Sequence, residues 1–232
     1  MSKVIIITGT RKGIGRYLSE YYLKKGMIVC GCSRGESDLK HDNYYHYCLD
    51  VSDEKAVVSM VKKVYQKFNH IDYLLNNAGI ASMNHCFLTP LSVVENIFKT
   101  NVYGTFLFCR EVGKVMSKNK FGRIINFTTV ASPLNLAGEA VYAASKTAIE
   151  KLTEILAKEF GENSITVNSI GPSPIKTDLI KNVGKEKLDT LLSNQAIHDF
   201  GSFRDVSNVI DFYIKDESGM ISGQTLYLGG VF

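Results

Sequence analysis

Long apolar runs are missing from this chain of 232 residues. The N-terminus enters an apolar stretch only from Val4 to Ile7. That is too short for the apolar region of a signal peptide and far too short to span a bilayer, so a cytoplasmic chain without a membrane partner is expected. Blocks of like charge are missing as well. The 27 basic and 23 acidic side chains leave a net charge of +4 with no run of five of one sign, which gives no argument for a nucleic-acid partner. Cysteine is sparse, odd in number and scattered: Cys30, Cys32, Cys48, Cys86 and Cys109 make no zinc-ligand grouping. Cys30 and Cys32 fall two apart in an apolar stretch and read as small core residues on one strand face. His41, His46 and Cys48 are close in sequence, but the stretch reads as surface loop running into a strand, and no metal is expected. No repeat, low-complexity segment or linker interrupts the chain. A single domain over 1–232 is expected, long enough to bury a full core.

What is present is alternation. Strand-like runs over Lys3–Thr8, Met27–Ser33, Tyr44–Leu49, Ile71–Asn76, Gly122–Thr128, Ser164–Ser169 and Thr225–Leu228 alternate with helix-period segments. The helices are expected over Arg16–Lys25, Ser52–Phe68 with Ser52 as its cap, Ser92–Lys118 as one long helix, and Val141–Phe160. The continuous apolar run at Val4 to Ile7 marks a strand buried on both faces. This order predicts an α/β fold, a three-layer, doubly wound, Rossmann-type parallel sheet of seven strands with helices on both faces. Ligands in such sheets collect at the C-terminal strand ends, and the unusual residues do fall there.

Directly after the first strand comes Thr8-Gly9-Thr10-Arg11-Lys12-Gly13-Ile14-Gly15, opening a helix. Glycines let the backbone turn tightly and approach a phosphate, and the helix start supplies free N–H groups, so Gly9, Arg11, Lys12, Gly13, Ile14 and Gly15 are expected to bind a dinucleotide. The second strand ends at Ser33-Arg34, where a fold that prefers NAD often carries an acid for the ribose hydroxyls. Arg34 with Arg11 and Lys12 would instead form a cationic pocket for a 2′-phosphate, which favours NADP(H) and leaves NAD(H) open. Further on, Tyr142 and Lys146 stand four apart at the head of a helix, hence on one face. A free phenol has a pKa of about 10. A nearby ammonium would lower it toward the working range and suit it to proton exchange with an alcohol or carbonyl oxygen.

Together these residues resemble the short-chain dehydrogenase/reductase family in its compact form, over essentially the whole chain. The resemblance is carried by Thr8-Gly9-x-x-x-Gly13-x-Gly15, Asp50-Val51, Asn76-Asn77-Ala78-Gly79, Asn101, Tyr142-x-x-x-Lys146 and the Pro172, Ile175, Thr177 segment. It implies a homotetramer or homodimer that moves a hydride between NADP(H) and a small carbonyl or secondary alcohol. By the same resemblance Asp50 meets the adenine with Val51 beside it, and Asn77, Ala78 and Gly79 line the cofactor cleft. Tyr142 gives the proton, Lys146 holds the nicotinamide ribose, and Asn101 anchors a water relay to Lys146. Pro172 opens the loop whose Ile175 to Thr177 touch the carboxamide. The chain departs from the family in two places. Thr129 stands where a serine is usual, thirteen residues before Tyr142, with Thr128 as donor if the register slips by one. Ser173 replaces a usual glycine.

The segment near 172–201 is expected to cover the substrate. It sets Leu179, Ile180, Val183, Leu188, Leu191 and Leu192 among Lys176, Lys181, Lys185, Lys187, Asp178, Glu186 and Asp189. It reads as an amphipathic lid helix or as a basic docking face for an acidic carrier. Leu134-Asn135-Leu136 and Ala81-Ser82-Met83 would complete the pocket wall. The nearest resemblance is to 3-oxoacyl-thioester reductases. A polyol or sugar oxidoreductase, or an NADP(H)-binding regulatory protein without turnover, are the alternatives.

Overall fold

The computed structural model describes residues 2–177 and 184–231. Seven strands, Val4–Thr8 (β1), Ile28–Ser33 (β2), Tyr44–Cys48 (β3), Tyr73–Asn76 (β4), Gly122–Phe127 (β5), Ile165–Gly171 (β6) and Thr225–Tyr227 (β7), form one sheet. Every pairing is parallel, in the order β3-β2-β1-β4-β5-β6-β7. The chain moves outward one way through β2 and β3 and the other way from β4, so the order reverses between β1 and β4. That crevice is where such sheets bind ligands.

Helices Gly13–Lys24 (α1), Glu54–Phe68 (α2), Leu91–Phe98 (α3), Gly104–Asn119 (α4), Ala131–Leu134 (α5), Ala140–Gly161 (α6), Lys185–Ser193 (α7) and Phe203–Ile214 (α8) complete the described layers. Alternate residues of β1 face opposite ways. Val4 and Ile6 pack with Val57 and Val61 of α2 and with Phe108 and Val112 of α4. Ile5 and Ile7 pack with Leu18 and Tyr22 of α1 and with Val206 and Ile210 of α8. These four apolar residues of β1 are fully buried, at roughly 1.5–3 kcal/mol each, which is why the run is apolar at both odd and even positions.

Three local expectations are corrected. The long helix over 92–118 is broken: α3 ends at Phe98, a π-helical turn spans Lys99–Tyr103, and α4 resumes at Gly104. The wider turn at Asn101 is held by tertiary bonds of its side chain, which helical periodicity does not register. The cap of α2 is Asp53, whose carboxylate accepts from the Ala56 N–H at 3.1 Å, and not Ser52. Ser52 is taken by Asp50, donating to its Oδ1 from both N and Oγ at 2.9 and 2.7 Å. Helix α8 was not foreseen, although Ser202 and Asp205 at its start form a reciprocal capping box.

Candidate active site

A cleft of about 590 Å³ opens at the C-terminal ends of the central strands. Of the expected site residues, all line it except Gly15 and Asn101. A second groove of about 830 Å³ at the other end of the sheet, between Lys3, Lys25, Asp211 and Phe212, contains none of them.

The floor is stitched from two strand ends. Gly9 and Gly13 take positive φ of 75° and 59°, which only glycine adopts without strain. A Cβ at Gly15 would collide with the Gly9 carbonyl, so α1 and the loop pack backbone to backbone. Asn77 Nδ2 donates to the Thr8 carbonyl at 2.8 Å and to that of Gly9 at 3.3 Å, and the Ala78 N–H donates to Thr8 Oγ1 at 2.9 Å. These bonds bring Asn77, Ala78 and Gly79 against the glycine loop. Arg11 reaches across to the loop after β2, where its Nη1 lies 2.6 Å from the place of a Cβ on Gly35. Arg11 and Arg34 are exposed and make no ion pair among the described residues, and Ser33, the last residue of β2, comes directly before Arg34. Asp50 and Val51, after β3, and the buried Ile175 with Pro172, after β6, line the cleft from opposite sides. Thr177 Cγ2 comes within 3.9 Å of a Cβ placed on Gly13, so this segment returns to the glycine loop. Ser173 is buried and donates to the Asp199 carbonyl at 3.4 Å.

Helix α6 carries Tyr142 and Lys146 into the cleft, with the Lys146 Nζ 5.9 Å from the Tyr142 ring centroid. Thr129 lines the cleft beside Tyr142, and its hydroxyl acts to lower the pKa of the phenol. Thr128 also lines the cleft, but its hydroxyl is engaged: it donates to Glu150 and, at 3.4 Å, to the Lys146 carbonyl. The position thirteen residues before the tyrosine is therefore the one that meets it. Burial pushes the Tyr142 phenol up to about 12, the Glu139 carboxylate adds to the rise, and the neighbouring Thr129 hydroxyl opposes it. Burial also pushes the Lys146 ammonium down to about 8, against the attraction of Glu150. The expected acidification of the phenol by the ammonium is not what these groups produce. Desolvation outweighs it, and the ammonium donates to the Phe127 carbonyl at 2.8 Å.

Asn101 lies behind the cleft, fully buried. Its Nδ2 donates to the Ile80 carbonyl and to Ser145 Oγ, both at 3.0 Å, and its Oδ1 accepts from the Ile80 N–H at 2.9 Å. A Cβ on Gly79 would stand 3.3 Å from both Asn101 Oδ1 and Lys146 Nζ, so the two polar atoms flank one small space. Sequence reasoning missed Glu139, a buried carboxylate in the cleft wall three residues before Tyr142, and Glu150, one turn beyond Lys146. Their spacing from the Tyr/Lys pair was the available signal.

Over the substrate side, Leu188 and Leu191 of α7 line the cleft, and Leu191 packs on Val130 and Val231. Leu134 and Leu136 support that cluster without lining the cleft, whereas Ala81 and Met83 do line it. Asp178, Leu179, Ile180, Lys181 and Val183 lie outside the described residues. Among the described residues no helix is long and apolar enough to cross a membrane.

The short chain dehydrogenase family model matches residues 3–188. The 3-oxoacyl-[acyl-carrier-protein] reductases FabG of Vibrio cholerae and of Escherichia coli K12 are each 30% identical over 98% of this chain and 96% of their own. Among solved structures, ElxO with NADP bound superposes with a TM-score of 0.90 at 29% identity, covering 98% of this chain and 97% of that one. A 4-hydroxyisoleucine dehydrogenase complexed with NADH gives 0.88 at 28% identity, covering 99% and 98%.

Proposed function

The chain belongs to the short chain dehydrogenase family, an NAD(P)-dependent oxidoreductase by that membership, and we propose that it reduces the ketone of a 3-oxoacyl thioester or a similar small carbonyl with NADPH. The observation that carries this reading is the Thr129–Tyr142–Lys146 arrangement opening on the same cleft as the glycine loop.

The glycine loop fits a dinucleotide: it leaves no room for a Cβ at Gly15, and its N–H groups open α1. Gly9, Gly13, Ile14, Asn77, Ala78, Asp50, Val51, Pro172, Ile175 and Thr177 would hold the cofactor. Lys12, Arg11, Arg34 and Ser33 would take its 2′-phosphate. When bound, the reduced nicotinamide supplies the hydride. Thr129 holds the carbonyl oxygen by donating to it, next to the phenol. Tyr142 is kept neutral by its burial and so carries the proton that the oxygen needs as it gains charge. Lys146 and Asn101, on either side of the space at Gly79, restore that proton through water and orient the ribose.

Substrate entry falls to the segment near 172–201, which we read as the substrate cover of a single domain spanning 1–232. A specific observation also supports a second reading. The Glu139 carboxylate in the cleft wall suits a hydroxylated substrate, as in a polyol or sugar oxidoreductase, because hydroxyls donate to carboxylates. Exposed Tyr103, Phe106 and Ile155, at 53%, 42% and 48%, give a homodimer or homotetramer an apolar contact near α4 and on α6. A cytoplasmic location agrees with five free cysteines.

The test follows NADPH absorbance with a panel of 3-oxoacyl thioesters, simple ketones and ketoses. The reading expects turnover on the thioesters that Tyr142→Phe lowers by at least about a hundredfold. Turnover confined to ketoses favours the second reading. Tight NADPH binding with no turnover on any substrate defeats both.

A further inference from the structure

Strand β3 lines none of the cleft with its own residues 44–48, yet two of its side chains tie together the two loops that do. The Tyr44 hydroxyl lies 2.9 Å from Thr10 Oγ1, inside the glycine loop, and 3.0 Å from His46 Nδ1. The other imidazole nitrogen, Nε2, lies 3.1 Å from Ser33 Oγ and 3.0 Å from the Gly35 carbonyl, in the loop that bears Arg34. Ser33 Oγ donates to the same carbonyl at 2.8 Å. A carbonyl oxygen can only accept, so Nε2 carries its hydrogen toward Gly35. The line from Thr10 through Tyr44 and His46 to Gly35 crosses β2 at Gly31. A Cβ there would come within 2.6 Å of both Thr10 Oγ1 and the Tyr44 hydroxyl, so the sequence clears the passage.

The line ends beside Arg11 and Arg34, whose guanidiniums make no ion pair among the described residues. Gly35 follows Arg34 directly, and Arg11 Nη1 rests over Gly35. Recognition of a phosphate by two arginines depends on their fixed spacing, because each bond is directional and each side chain loses rotamer freedom to make it. A nucleotide without the 2′-phosphate has no use for that spacing.

We infer that His46, linked through Tyr44 to the glycine loop, is a positioning residue that sets the preference for a cofactor bearing a 2′-phosphate, by fixing the loop of Ser33 to Gly35 beneath Arg11 and Arg34. This rests on the reading of Arg11 and Arg34 as a phosphate pocket.

The test measures the Kd of NADPH and of NADH by titration calorimetry on the full chain, with kcat and KM beside it. His46→Asn keeps an amide near Tyr44 but is too short for Ser33 and Gly35, whereas His46→Gln reaches them. His46→Asn is expected to weaken NADPH about tenfold while NADH changes less than about twofold, and to raise the KM for NADPH at unchanged kcat. His46→Gln is expected to recover most of the loss. Tyr44→Phe removes one hydroxyl at constant shape, and should weaken NADPH selectively by about threefold. Equal weakening of both cofactors by His46→Asn, or none of either, overturns the inference. Should His46→Asn not fold, the absence of a selective loss in Tyr44→Phe overturns it. Arg34→Ala judges the phosphate pocket separately: loss of NADPH and NADH affinity in equal measure would remove the pocket, whatever the His46 variants do.

Discussion

The ammonium of Lys146 donates across 2.8 Å to the carbonyl oxygen of Phe127, the last residue of β5. The next residue, Thr128, returns the contact by donating to the Lys146 carbonyl at 3.4 Å and to Glu150. Strand and helix are thus clamped at the site by polar groups on both sides. The lysine is 4% exposed and loses much of its hydration there.

The alkaline limb of the pH profile should belong to Lys146. Burial brings its ammonium down to about 8 while Glu150 pulls the other way. In kcat/KM for carbonyl reduction, which reports the free enzyme, activity should fall as pH rises through about 8. Glu150→Gln removes the opposing charge and should move that limb to lower pH. An unmoved limb in the variant would deny Glu150 this influence.

Thr129 and Thr128 should separate cleanly. Thr129→Val removes the hydroxyl beside the phenol. It should lower kcat by about tenfold or more with the Kd of NADPH unchanged, and Thr129→Ser should stay close to the parent. Thr128→Val leaves Glu150 without this donor inside the structure. It should cost roughly 1–3 kcal/mol in urea unfolding. If Thr128→Val instead abolishes turnover in a fully stable protein, the roles of the two hydroxyls are exchanged.

Much of this was legible in the residues. The run Val4 to Ile7 announced a strand covered on both faces, and Tyr142 with Lys146 announced one helix face, because both patterns are periodic in the chain. The π-helical turn was not legible. Residues 92–118 keep a helical rhythm, and the break at Asn101 comes from its bonds to Ile80 and Ser145, which lie 21 and 44 residues away. The direction in which the phenol shifts is not legible for a related reason. Spacing tells which groups are neighbours, but desolvation depends on what covers them, and here burial leads.

Asn101 offers a test of that turn. Asn101→Leu keeps the volume and removes bonds to Ile80 and Ser145, leaving their buried polar groups unanswered. A loss of roughly 2–4 kcal/mol in urea unfolding is expected, together with a fall in kcat, since Gly79 and Ile80 lean on this side chain. Gly104→Ala makes a useful partner, because its Cβ would stand 2.7 Å from Val51 Cγ2 and so presses on the same helix without touching Asn101. It should lower stability while leaving the pH profile of kcat in place.

The last prediction turns the depressed lysine into a stability measurement. In the unfolded chain an ammonium such as that of Lys146 titrates near its ordinary value of about 10.4, and in the folded protein near 8. Between those values the unfolded state binds more protons than the folded one, so stability rises with pH across that window. Below pH 8 the folded protein carries the full cost of a desolvated ammonium, on the order of 3 kcal/mol. Lys146→Met should therefore be more stable than the parent at pH 7, and the gap should close as pH is raised toward 10. Tyr142 works in the opposite sense and at higher pH: its raised value stabilises the fold below pH 10, and that gain is lost as pH rises through about 12. Urea unfolding at pH 7, 8, 9 and 10 would separate the two, because the parent should gain on Lys146→Met before the phenol titrates. A gap that stays constant over this range would mean that Lys146 keeps its charge throughout, and that the clamp to Phe127 offsets what burial takes away.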